Sequence, residues 1–283
     1  MADIAAAVAV MVGMGAFFGI VLALAWRFLR VPEDPRLEVV EDLLPGNNCG
    51  ACGEPGCAAF AQRVLGAELS PGKCTVADAG TLEEIADFLG VGVGAEEQRI
   101  ARLRCAGGAS SVPALAEYRG MASCRGAVVV DDGAQGCVWG CLGYGDCERV
   151  CTFDAIHMNE DRLPVVEPEL CTACADCVDV CPRDLFVLVP ESQRLFVQCS
   201  SPLAGEAALA RCTVACDACG RCALDAPPGT VEMADGLPLV HYDGERTPTP
   251  NATWRCPTGA ITWLAGRQFE EPEEERPARR SHG

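Results

Sequence analysis

The chain has 283 residues, enough for two or three small domains, with 20 cysteines and a net charge of −18. That charge argues against a nucleic-acid partner. Cysteines held in tight groups point to metal binding in a reducing compartment rather than to a secreted disulfide scaffold. The three histidines, His157, His241 and His282, have no zinc-protease spacing and read as surface or structural residues.

Ile4 to Trp26 carries no charge and is long enough to cross a bilayer as a helix. Gly13, Gly15, Ala16 and Gly19 would allow a neighbouring helix to pack closely. A secretory signal is the competing reading, but there is no positive n-region and no small-residue cleavage site. Arg27 and Arg30 follow the apolar run, which predicts a single anchor (1–30) in the cytoplasmic membrane, with everything after it on the cytoplasmic side.

Residues 31–91 hold Cys49, Cys52, Cys57 and Cys74 in a glycine-rich context without an interposed histidine. This suits a soft four-thiolate site, with short glycine turns pointing amides at sulfur. Helices are expected over 58–65, ending near Gly66, and over 82–89. The second has a capping-box pattern of Thr81 and Glu84 and a stop at Gly90. The GVGVGA stretch after it follows a helix rather than a strand, so it is not a dinucleotide fingerprint. Residues 92–126 read as a connecting segment.

Within 127–190, Cys171, Cys174, Cys177 and Cys181 followed by Pro182 form the C-x2-C-x2-C-x3-C-P run of two-cluster ferredoxins. In that arrangement the fourth cysteine ligates the other cluster. The expected sites are Cys171, Cys174, Cys177 with Cys151, and Cys137, Cys141, Cys147 with Cys181. The alternative is zinc, which usually takes two C-x2-C knuckles and matches this spacing poorly.

The pattern repeats over 191–265. CPRDLF at 181, CPTGAI at 256 and APPGTV at 226 align, and Cys151–Cys181 and Ala226–Cys256 are both thirty residues apart. A second ferredoxin unit in the same register is expected, with one site at Cys216, Cys219, Cys222 and Cys256. The other site of this unit would have used positions 226, 246, 249 and 252, which hold Ala226, Arg246, Thr249 and Ala252, so it is lost as a whole. Cys105, Cys124, Cys199 and Cys212 remain. Their number suits a fifth cubane; buried thiols are the plainer alternative. The charged, proline-bearing tail (266–283) reads as disordered. The fold class expected is α+β: a transmembrane helix, a small mainly helical four-cysteine domain and two ferredoxin-like units, the second degenerate. No nucleophile–base pair, phosphate loop or flavin fingerprint stands out, so no catalytic residue is assigned.

The order of an apolar span, CGACGEPGC with a distant Cys74, and a double ferredoxin run resembles the B-subunit family of the Rnf complex. GCLGYGDCERVCTFDAI resembles the longer form found in anaerobes. The resemblance covers residues 1 to about 265. It implies a [4Fe-4S] cluster at Cys49, Cys52, Cys57 and Cys74, and further [4Fe-4S] clusters in the ferredoxin units. The family has two clusters in the second unit, so this chain departs from it by one. The resemblance also implies partners: soluble ferredoxin as electron donor, and membrane subunits that couple electron transfer to NAD with Na+ or H+ translocation. A membrane-tethered polyferredoxin that serves another redox enzyme and pumps nothing is the alternative.

Overall fold

A computed structural model of the chain describes residues 2–29, 34–94, 97–242 and 247–269. Arg30, Arg246 and His282 lie outside them, as does the tail from 270 onward. Helix α1 spans Ala2–Leu29. Its segment Val8–Phe28 has a mean hydropathy of 2.5, and none of it is buried by the rest of the protein. At about 1.5 Å per residue this length matches a hydrocarbon core about 30 Å thick.

The four-cysteine domain is three short helices over one small core. Asp34 caps α2 (Pro35–Leu43) by accepting the Arg36 amide, and Pro35 supplies the preset first turn. Helix α3 is Cys57–Leu65, one residue longer than expected, and ends at Gly66. Helix α4 is Ala79–Leu89, three residues longer at its start than the expected 82–89. The reason is the cap: Asp78 Oδ1 accepts the Thr81 amide at 3.0 Å, so Thr81 lies inside the first turn. Gly90 takes the left-handed conformation and ends the helix. Val40, Leu44, Phe60, Val64 and Ile85 fill the core, with Cys52, Cys57 and Cys74 packed on it.

Two βαββαβ units follow. In the first, β1 (Arg99–Leu103) pairs antiparallel with β4 (Phe186–Pro190), and β2 (Ile156–Met158) with β3 (Pro164–Val166). Helix α6 (Asp146–Val150) precedes β2 and α7 (Asp176–Val180) precedes β4, and an extra helix, α5 (Cys124–Val129), comes between β1 and α6 in the chain. In the second, β5 (Leu195–Val197) pairs with β8 (Ile261–Trp263), and β6 (Val231–Ala234) with β7 (Leu237–Val240). Helices α9 (Arg221–Asp225) and α10 (Asn251–Trp254) complete it, with α8 (Gly205–Leu209) between β5 and α9. The starts of α6 and α7, and of α9 and α10, are each thirty residues apart, the register read from the cysteines.

Two expected boundaries are corrected. The segment 92–126 is not merely connecting: β1 is the outer strand of the first unit, its register running from Arg99 opposite Pro190 to Leu103 opposite Phe186. The tail does not begin at 266. Gln268 is buried, accepts the Leu103 amide at 2.8 Å and donates to the Leu103 carbonyl at 2.5 Å, while Arg267 pairs with Glu167. The two Gln268 bonds occupy the polar groups of Leu103, at the end of β1.

Candidate iron–sulfur sites

Cys49, Cys52, Cys57 and Cys74 line one pocket. Asn48 Oδ1 accepts the Cys57 amide at 2.8 Å and ties the loop to the start of α3. A Cβ on Gly56 would stand 2.8 Å from that oxygen, so only glycine admits the approach. Cys151, Cys171, Cys174 and Cys177 line a second pocket. The Ala155 amide donates to Cys151 Sγ at 3.4 Å. Cys216, Cys219, Cys222 and Cys256 line a third, and Cys219 is the one exposed cysteine.

The fourth pocket gathers a different set from the one expected from spacing. Its cysteines are Cys124, Cys141, Cys147 and Cys181; Cys137 is not among them. The cause is local. Cys124 opens α5, and Asp146 Oδ2 accepts the Arg125 amide at 3.2 Å. Arg149 reaches back to the Ala122 carbonyl at 3.3 Å. Both contacts hold the 122–125 turn against α6 and bring Cys124 to the pocket. The chain turns between Cys137 and Cys141, with the Gly140 amide facing the Cys137 carbonyl at 3.4 Å. Cys137 therefore faces the second unit, where it packs with Cys199 and Cys212. Cys124 thus leaves the set of scattered cysteines, and Cys137 joins it.

The residues present fit iron–sulfur clusters. Burial is the first cause raising the thiols of Cys52, Cys124, Cys141, Cys174, Cys177 and Cys222, and it pushes Cys147 to about 12 and Cys216 to about 11. Backbone amides oppose this at most of these sulfurs, for instance Glu148 at Cys147 and Ala218 at Cys216. Amide donors aimed at buried sulfur favour a charged, metal-bound form. Thr172, on the second pocket, has a buried Oγ1 with no hydrogen-bond partner, as a hydroxyl aimed at an absent acceptor would. Among the described residues, no three Cys, His, Asp or Glu side chains are grouped as a single metal ion requires. Sulfurs spread around a pocket suit a multi-iron cluster better than one tetrahedral zinc. His157 and His241 face Glu167 at 3.8 Å and Glu232 at 3.1 Å and line none of the four pockets.

The positions where the second unit has no cysteine are packed with side chains. Ala252 is fully buried, and Ala226 and Tyr242 pack with it against Leu195, Val231 and Ile261. The Tyr242 hydroxyl accepts the Leu195 amide at 2.7 Å and donates to the Leu195 carbonyl at 2.9 Å.

Comparison with known proteins agrees with this picture. A family model described as "Putative Fe-S cluster" matches residues 44–76. The chain is 43% identical over 202 residues to the B subunit of the Na(+)-translocating ferredoxin:NAD(+) oxidoreductase complex of Acetobacterium woodii, covering 71% of this chain and 61% of that protein. It is 34% identical over 255 residues to the B subunit of the ion-translocating oxidoreductase complex of Methanosarcina acetivorans, covering 90% of this chain and 96% of that one. It is 31% identical over 258 residues to the B subunit of the proton-translocating ferredoxin:NAD(+) oxidoreductase complex of Clostridium ljungdahlii, covering 89% of each. With iron–sulfur sites, an apolar N-terminal helix and relatives matched along almost their whole length, the chain belongs to the B-subunit family of ion-translocating oxidoreductase complexes.

Proposed function

We propose that the chain is the iron–sulfur electron-transfer subunit of a membrane-bound complex that couples electron flow between ferredoxin and NAD to ion translocation. The observation that carries this reading is the gathering of sixteen cysteines into four pockets of four. Their proposed ligand sets for [4Fe-4S] clusters are Cys49, Cys52, Cys57, Cys74; Cys124, Cys141, Cys147, Cys181; Cys151, Cys171, Cys174, Cys177; and Cys216, Cys219, Cys222, Cys256. Clusters bound there supply one-electron carriers, and their potentials answer to burial, charge and amide hydrogen bonds.

The chain's own residues keep the sites adjacent. Thr75, next to Cys74, donates through Oγ1 to the Thr172 carbonyl, next to Cys171, at 2.5 Å. Cys147 and Cys177 belong to one hydrophobic core, between α6 and α7. Short separations of this kind are what a relay needs. Helix α1 is the membrane anchor, and Arg27 in its last turn favours the cytoplasmic side for the cysteine domains.

The test uses the anaerobically purified complex mixed with reduced ferredoxin. The visible iron–sulfur absorbance should bleach as ferredoxin is oxidised. Inverted membrane vesicles given reduced ferredoxin and NAD should take up ions, and vesicles lacking this chain should not. A colourless, zinc-loaded chain, or a coloured one that ferredoxin leaves unreduced, contradicts the proposal.

A further inference from the structure

The geometry points to a fifth [4Fe-4S] site at Cys105, Cys137, Cys199 and Cys212, built jointly by the two ferredoxin units and joining their clusters. The inference rests on the iron–sulfur reading of the other pockets. Each unit contributes two cysteines. Cys105 lies two residues after the end of β1, and Cys199 lies two residues after the end of β5. Cys137 comes from the insertion between β1 and α6, and Cys212 from the insertion between β5 and α9. The two outer strands are equivalent in the repeat, so the site is assembled with the symmetry of the units themselves.

All four cysteines are buried. A Cβ on Gly140 would lie 3.5 Å from Cys137 Sγ and 3.6 Å from Cys105 Sγ. One on Gly107 would lie 2.8 Å from Cys212 Sγ and 3.8 Å from Cys105 Sγ. Each of these sulfur pairs is therefore no farther apart than the sum of its two distances. Cys137 and Cys199, with Cys212, belong to one buried group whose other buried members are Ala208, Ala215, Cys216 and Ala260. Its buried members are only cysteine and alanine, with Val112, Trp139, Leu203, Val214 and Leu237 packed around them.

Two sulfurs of the set accept a backbone amide, one from each unit. Cys141 N–H donates to Cys105 Sγ at 3.3 Å, and Cys216 N–H donates to Cys199 Sγ at 3.4 Å. Nearby amides of Trp139 and Gly140 at Cys137, and of Val214 and Ala215 at Cys212, oppose the rise that burial gives these thiols. A neutral thiol is a weak acceptor, so this convergence is of little use to it; on metal-bound thiolate sulfur the same bonds are charge-assisted. The same two amides show what the site connects. Cys141 belongs to the Cys124–Cys181 pocket and Cys216 to the Cys219–Cys256 pocket, so a single hydrogen bond links the fifth site to each.

The experiment measures iron and acid-labile sulfide per chain on the anaerobically purified complex, for the native chain and for a Cys199→Ser/Cys212→Ser variant. The native chain should hold about twenty irons and the variant about four fewer, since a cubane carries four. One cluster signal should vanish from the EPR spectrum of the reduced variant while that of the Cys49–Cys74 domain persists, which reports that the chain still folds. A Cys212→Ser single variant gives the same readout should the double variant unfold. About sixteen irons in the native chain, unchanged in either variant, overturns the fifth site and leaves the four-site reading intact. One zinc with sixteen irons overturns it as well. Little iron of any kind would instead overturn the function proposed above.

Discussion

At the scale of single residues, Arg183 is the most informative side chain outside the ligands. It lines the Cys124–Cys181 pocket, and its charge also pulls down the Cys137 thiol that burial raises. Its guanidinium donates to the Val138 carbonyl and to Asp132, while its buried Nε has no partner. A cation that never loses its proton stabilises the reduced, more negative form of a nearby cluster. Arg183→Met should lower that cluster's midpoint potential. A tenfold change in its reduced-to-oxidised ratio corresponds to about 59 mV for a one-electron couple. Asp132→Asn, which removes the neutralising carboxylate, should raise it. EPR-monitored redox titration checks both signs, and shifts in the same direction would refute the electrostatic account. Tyr242 makes a second residue-scale case. Burial raises its hydroxyl to about 12 from an ordinary 10, so the fold favours the neutral phenol. The unfolded chain loses this proton first, so stability should fall as pH climbs from about 10 toward about 12. Tyr242→Phe should abolish that slope and cost roughly 1–3 kcal/mol at neutral pH, because Leu195 loses both of its bonds to the hydroxyl. Thermal unfolding across pH measures both effects.

At the scale of elements, the loops carrying C-x2-C are built alike in both units. Ala173 and Ala218, each two residues after the first cysteine, take positive φ of 57° and 58°. The residues that open α7 and α9, Ala175 and Gly220, do so at 73° and 69°. Alanine in the left-handed region costs about 1 kcal/mol relative to glycine. Ala175→Gly should therefore slow the loss of iron to a chelator, and Ala175→Val should hasten it, because a β-branched residue fits that conformation worst. The thirty-residue repeat and the C-x2-C-x2-C-x3-C-P run were legible, since each is a local spacing. Strand β1 was not. RIARL is five residues whose partner lies over eighty residues away, and such pairing leaves no local mark. The placing of Cys124, rather than Cys137, on the fourth pocket was illegible for the same reason. It depends on Asp146 and Arg149 drawing in a turn more than twenty residues earlier. Asp78 was a nearer miss: an N-cap three residues before Thr81 competes with the capping box read from Thr81 and Glu84.

At the scale of the molecule, the charge of −18 sits on a chain with one helix, among the described residues, long and apolar enough to cross a membrane. Removing residues 2–29 should release the chain from membranes with its iron content unchanged, because none of the Val8–Phe28 span is buried against the cysteine domains. Fractionation and iron analysis of the shortened chain test this. Retention on washed membranes would locate a second attachment, on a partner protein. Within the remainder, the order of adjacent sites runs from the Cys49–Cys74 domain through the first ferredoxin unit to the second. Cys219, in the second unit, is exposed. The most direct measurement is an iron anomalous or cryo-EM density map of the anaerobic complex. Cubane density should be bounded by Cys124, Cys141, Cys147 and Cys181, with Cys137 turned away toward Cys105, Cys199 and Cys212. Density that bonds Cys137 together with Cys141 and Cys147, or single-atom peaks at the cysteine pockets, would contradict this arrangement.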